Sequence, residues 1–214
     1  ARSTNQVYAL SPSDAAVRRS LEEIARLFPV KHSPKKRLLP QSPNHFAVVI
    51  WADIRGTILL LGADLEETTD TDMGWTGILR SRIRPMGRAS YFKVPHHGSS
   101  SANHPDVWTQ MLHPRPLCVL TPFWRGSRRL PQRNDVRRIM GQTDEAYITA
   151  DLKTKRLKRP KPVEELLRGA VRSIRPIHSS FGHIRVRSSS ENAHQPLSVD
   201  LFGDAIPLRA FRGT

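Results

Sequence analysis

The chain has a single cysteine, no apolar run near the ~20 residues that a transmembrane helix needs, and 19 acidic side chains against 34 basic ones. One cysteine excludes an internal disulfide, and Cys118, set in an apolar run between Leu117 and Val119, reads as buried filler in a reduced, cytoplasmic compartment. The missing apolar run excludes a helical membrane span in the sequence. The opening Ala1-Arg2-Ser3-Thr4 has neither an initiator Met nor a charged-then-apolar leader pattern, so an earlier segment is expected to be absent from the chain. The shortage of acids leaves a net charge of +15, unevenly spread. Residues 1–150 hold 21 basic and 13 acidic side chains, and the 64 residues that follow hold 13 and 6. A surface this basic attracts polyanions, so nucleic acid or another phosphate-rich substrate is the expected partner class.

What is present is a hydrophobic share of 38%, enough for a core, arranged as alternating strand and helix patterns. Val7 to Leu10 reads as a strand. Ser11-Pro12-Ser13-Asp14 then gives a turn and a cap for a helix whose stripe is Ala15, Val17, Leu21, Ile24, Leu27 and Phe28. Residues 29–43, with four prolines and the run Lys35-Lys36-Arg37, read as a loop. Phe46–Trp51 and Thr57–Leu61 are β-rich and joined across Asp53-Ile54-Arg55-Gly56, which predicts a hairpin. Further on come a helix around Trp75–Ile83, a strand at Ala89–Val94, a helix at Pro105–Leu112 and a strand at Leu117–Thr121. A helix at Asn134–Met140 and a strand at Ala146–Ala150 complete the main domain, residues 1–150. The charge-dense stretch Lys153–Lys161 reads as a linker to a small α/β extension within 151–214, with a helix at Val163–Val171 and strands near His183–Val186 and Leu197–Phe202. Ser188–Ser190 reads as a loop.

Two strand ends carry the chemistry. Thr57–Leu61 delivers Gly62-Ala63-Asp64, and Ala89–Val94 runs into Pro95-His96-His97-Gly98-Ser99. A carboxylate and an imidazole on loops at the ends of core strands can converge on a divalent metal, because the strands fix where the loops begin. Gly62 and Gly98 permit tight turns and close approach, and the hydroxyls of Ser99, Ser100 and Ser101 can orient ligands or bind phosphate. Arg125, Arg128, Arg129, Arg133, Arg137 and Arg138 crowd the segment after Leu117–Thr121, beside Phe123 and Trp124. Their forked guanidiniums suit phosphate, and Arg128 and Arg129, together with Ser99, are the candidate substrate contacts. Glu66 and Glu67 follow Asp64 closely and read as solvated, with orienting the site as the alternative; His104 reads as a helix-start residue, with support of the site as its alternative, His113, His178, His183 and His194 as structural or surface residues, and Trp51, Trp75 and Trp108 as packing aromatics.

Taken together, LLLGADLE, YFKVPHHGSS and CVLTP, preceded by Asn44, resemble the second half of metallo-β-lactamase-fold hydrolases over roughly residues 5–150. The branch resembled is the one that includes the soluble domain of DNA-uptake competence proteins. This resemblance implies a four-layer αββα sandwich whose first half is missing from the chain, and a metal-dependent hydrolase using two divalent ions, zinc or manganese. Asp64 would bridge the ions, and His96 or His97 would supply the last histidine ligand, His96 being the preferred one. Asn44 would support the site. The His-x-His-x-Asp-His loop that supplies the other ligands in the family is absent, so this chain would provide only part of the metal site. Phosphodiesters are the expected substrates. The alternative is an inactive relative that binds nucleic acid or a protein partner.

Overall fold

The computed structural model describes residues 5–28, 43–125, 127–151, 159–172, 181–188 and 197–212. The run Lys35-Lys36-Arg37, most of the 153–161 linker, most of the Ser188–Ser190 loop, His178 and His194 lie outside them. The elements in order are β1 (Gln6–Ala9), α1 (Asp14–Leu27), β2 (Ile50–Ile54), β3 (Thr57–Leu61), α2 (Gly74–Arg80), β4 (Ala89–Lys93), β5 (Leu112–Leu120), β6 (Phe123–Arg125), β7 (Arg128–Leu130), α3 (Arg133–Met140), β8 (Ala146–Ile148), α4 (Lys161–Ala170), β9 (Gly182–Arg187), β10 (Ser198–Gly203) and β11 (Ile206–Pro207). Short helical turns at Pro43–Phe46, His96–Gly98, Ser100–Ala102, Val107–Met111 and Leu208–Ala210 fill the connections.

Seven strands form one mixed sheet in the order β1-β2-β3-β4-β5-β8-β11. The outer pairs β1/β2, β2/β3 and β8/β11 are antiparallel, while β3, β4, β5 and β8 run parallel. The β2–β3 hairpin turns on Arg55 and Gly56, both at positive φ (54° and 85°), the two-residue geometry whose twist matches paired strands. Successive pairings place Trp51, Leu60, Phe92, Cys118 and Ala146 opposite one another in a single row across the sheet, and all five are buried. Trp75 and Ile78 of α2 and Ile139 of α3 pack into the same core. The three tryptophans behave as expected, Trp51 and Trp75 buried and Trp108 packed edge-on to Phe92.

Three departures from the sequence reading have physical causes. The expected helix at Pro105–Leu112 is one wide turn at Val107–Met111 that passes directly into β5, with Val107 and Met111 plugging the core. The arginine-rich segment before α3 is a small hairpin, β6–β7. The chain also returns across the predicted boundary at 150: β11 adds to β8, and Leu208 and Phe211 enter the main core. Helix α1 forms as predicted, capped where Ser13 Oγ accepts from the Ala16 amide at 3.2 Å. Its apolar stripe nevertheless faces outward, with Val17, Leu21, Ile24 and Phe28 43%, 62%, 50% and 71% exposed. No helix among the described residues is long and apolar enough to cross a membrane.

Candidate active site

Parallel strands β3, β4 and β5 all end on the same side of the sheet, where open α/β sheets place their ligands. Asp64, His96-His97 and Thr121 follow these three ends. Backbone bonds lock the first two together, since the Gly62 amide donates to the Lys93 carbonyl at 3.0 Å and the His96 amide to the Ala63 carbonyl at 3.0 Å. The junction is strained. Ala63, His96 and His97 all adopt positive φ (45°, 42° and 55°), a conformation that disfavours L side chains by roughly 1–2 kcal/mol each, and Gly98 follows at 81°.

The two histidines point to different surroundings. His96 is buried, and its Nδ1 donates to Glu66 Oε1 at 2.8 Å. Its Nε2 lies 3.4 Å from Asn44 Nδ2, which also donates to Glu66 Oε2 at 3.3 Å. Ser101 Oγ donates to Glu66 Oε1 at 2.7 Å. The network assigns the Nδ1–H tautomer and occupies both ring nitrogens of His96. Burial pushes the Glu66 carboxyl up, but Ser101, His96 and Asn44 together outweigh burial and hold it below its ordinary value.

His97 is half-buried, with Nδ1 donating to the Thr121 carbonyl at 2.9 Å and lying 3.1 Å from Thr121 Oγ1. Phe123 packs beside the ring at 5.1 Å between centroids. Among the described residues Nε2 of His97 has no hydrogen-bond partner, and neither has the half-buried Asp64 carboxylate. Burial lowers the His97 pKa, with the Thr121 carbonyl and Asp64 offsetting part of the effect, so the neutral ring is favoured. Lys93 is also held below its ordinary value by burial, against the pull of Asp64.

The preference for His96 therefore shifts. Asp64 and His97 have open donor atoms, whereas His96 is fastened on both sides. Ser99 is buried, and its hydroxyl accepts from the Ser101 amide and meets Ser101 Oγ at 3.0 Å, shaping the turn. Arg128 is exposed on the β6–β7 hairpin, and Arg129 lies over Trp124 with its guanidinium 4.3 Å from the ring centroid. Arg138 leaves the predicted phosphate rim: it turns inward and donates to the Gly98 carbonyl at 2.6 Å, to Asn103 Oδ1 at 2.9 Å and to Asp135 at 3.0 Å.

Glu66 is the partner of His96 and not a solvated residue. Glu67 caps α2, accepting from the Trp75 and Thr76 amides at 2.9 and 3.2 Å and from the Thr76 hydroxyl at 2.6 Å. Thr121 had a usable signal, because it follows a core strand just as Asp64 and His96 do. His104 accepts from the Asp106 amide at 3.1 Å, the turn-starting role expected of it.

Zinc in proteins takes imidazole nitrogen and carboxylate oxygen, typically from three or four protein ligands. Asp64 and His97 match that chemistry, but no group of three or more His, Cys, Asp or Glu side chains converges for a metal among the described residues. Comparison with family models, with curated proteins and with solved structures returns no match to this chain.

Proposed function

We propose that the protein is a metal-dependent hydrolase of phosphodiester bonds, with Asp64 and His97 as the ligands this chain contributes to a two-ion zinc or manganese centre. The observation that carries the reading is the pair of open donors, a carboxylate and an imidazole Nε2, on strained loops at the ends of adjacent parallel strands. The remaining ligands would come from outside the described residues. Divalent ions bound there would lower the pKa of a coordinated water and polarise a phosphoryl oxygen. The chain's own residues do the rest. Thr121 fixes the tautomer and aim of His97, burial keeps that ring in the neutral form a metal accepts, and the Glu66–His96–Asn44 network holds the loop from beneath. Arg128 and Arg129 on the neighbouring hairpin supply positive charge for phosphate. The fold belonging to this reading is one half of a metallo-β-lactamase-like αββα sandwich, and the outward apolar stripe of α1 supports a further layer.

Elemental analysis of the purified protein, with turnover of bis(p-nitrophenyl) phosphate, tests this. Zinc or manganese should be bound, and Asp64→Ala should lose both metal and hydrolysis. Unchanged turnover in Asp64→Ala rejects the assignment. A second reading, an inactive nucleic-acid-binding module, is favoured by the two-donor count, and metal-free protein that still binds nucleic acid would select it.

A further inference from the structure

The β9–β10 ribbon lies outside the site and has two unlike faces. Its pairings His183↔Phe202, Arg185↔Asp200 and Arg187↔Ser198 fall on one face, and Ile184↔Leu201 and Val186↔Val199 on the other. The second face is apolar and half-buried, whereas His183, Arg185, Arg187 and Phe202 are exposed. The ribbon is fixed at both ends. Gly182 sits against the Thr149 carbonyl after β8, so closely that a Cβ there would fall 2.3 Å from it, and Ser188 Oγ meets Thr57 Oγ1 at 3.0 Å where β3 begins.

On the exposed face the His183 ring stacks on Phe202 at 4.5 Å and 6° between planes. The Arg185 guanidinium lies 5.2 Å from the Phe202 ring centroid. Asp200 accepts from Arg185 and Arg187, each at 3.0 Å, which ties both guanidiniums to the same face as the rings, Arg185 against Phe202, while leaving most of their N–H donors free. Phe181, two residues before His183, is 83% exposed, and its amide donates at 3.0 Å to Asp204, just past the end of β10. Flat rings in a row with adjoining arginines are the parts that bind single-stranded nucleic acid, since any base can stack and the guanidiniums take the phosphates. A duplex keeps its bases stacked within itself and offers the rings nothing.

We propose that the outer face of the β9–β10 ribbon binds single-stranded nucleic acid by stacking bases on the His183–Phe202 platform, with Arg185 and Arg187 on the phosphates. Fluorescence anisotropy on the whole chain tests this with labelled oligo(dT), oligo(U), a duplex of equal length and heparin, each at several salt concentrations. The double variant His183→Ala/Phe202→Ala should weaken single-strand binding about tenfold or more and leave heparin binding unchanged. Asp200→Asn removes a negative charge from between the arginines, and should tighten single-strand binding several-fold and steepen its salt dependence. The dT and U arms show whether the DNA or the RNA strand is preferred. Wild-type affinity in the double variant, an equal loss of heparin binding, or no gain in Asp200→Asn would each overturn the proposal. Should the double variant fail to fold, Asp200→Asn decides alone. These variants should not change phosphodiester turnover, so failure here is separate from failure of the hydrolase reading.

Discussion

Replacing Gly62 by alanine tests the idea that the two loops of the candidate site are held at contact distance by the absence of a side chain. A Cβ at Gly62 would meet the Lys93 carbonyl oxygen at 2.9 Å and the Pro95 ring at 2.9 and 3.0 Å. None of these atoms can swing aside, since the carbonyl accepts the Gly62 amide at 3.0 Å and the proline ring is fixed to its backbone. The ends of β3 and β4 must therefore move apart. Overpacking of this kind destabilises by about 1–3 kcal/mol, and weakening the shared hydrogen bond adds up to about 1 kcal/mol. Restricting the unfolded chain returns about 0.4–1 kcal/mol, leaving a net loss of about 2 kcal/mol. In a protein of this size that lowers Tm by about 4–8 °C. The His97 pKa, followed by NMR, should at the same time rise toward 6.5, the ordinary imidazole value, as the loops part and water enters. Gly169→Ala in α4 is the reference, because nothing lies within 4 Å of its Cβ, and a gain of about 0.5–1 kcal/mol is expected. Gly62→Ala within ~0.5 kcal/mol of the parent, with the His97 titration unmoved, would refute the reasoning.

Arg138→Ala should destabilise by about 2–4 kcal/mol in urea unfolding, because it strips the Gly98 carbonyl of its donor and leaves the buried Asp135 without its cation. Acidification should destabilise in two stages: the folded values of His97 and Glu66 both lie below their unfolded ones, so the unfolded state binds more protons as pH falls below about 6.5 and then below about 4.5. The urea midpoint should drop accordingly, and His97→Gln should flatten the upper stage; a midpoint rising between pH 7 and 5 would contradict the assignment. Charge reversal at Arg128 and Arg129 should weaken polyanion binding and reduce the salt slope by roughly 1–2, each lost phosphate contact removing about 0.7–0.9. An unchanged slope would make those arginines ordinary surface residues.

The strands of the parallel core were legible because each is a short apolar run ending in a polar or glycine-containing turn, and burial of the Trp51–Ala146 row demands that pattern. The β2–β3 hairpin was legible for a local reason, the Arg55-Gly56 turn. Elements whose stability comes from elsewhere were not. β11 is two residues long and exists because β8 offers it an edge, while β6–β7 is held where Phe123 packs beside His97. The same divide runs through the site. Asp64 and His96-His97 could be read from the strands that deliver them, but the Glu66–His96–Asn44–Ser101 network joins three separate segments, around Asn44, around Glu66 and the His96–Ser101 loop, that share no spacing. Arg138 illustrates the limit most sharply, since its composition neighbours point to phosphate while its helix turns it toward Gly98.

Two adjacent histidines in one loop acquire opposite chemistry because the backbone sends them to different surroundings. Consecutive residues at positive φ fan their side chains apart, so one ring enters the Glu66 network and the other reaches Thr121 through its Nδ1. The buried pair is what makes the strained conformation tenable: the His96–Glu66 bond and the Arg138 bond to the Gly98 carbonyl hold the loop from two directions, against roughly 1–2 kcal/mol of strain at each left-handed side-chain-bearing residue. A loop that needed only to connect β4 to the next turn would gain by relaxing to ordinary φ and exposing both rings. The strain at Ala63, His96 and His97 is thus offset by the His96–Glu66 and Arg138–Gly98 bonds, and it is these bonds, more than either histidine's identity, that set the shape of the loop.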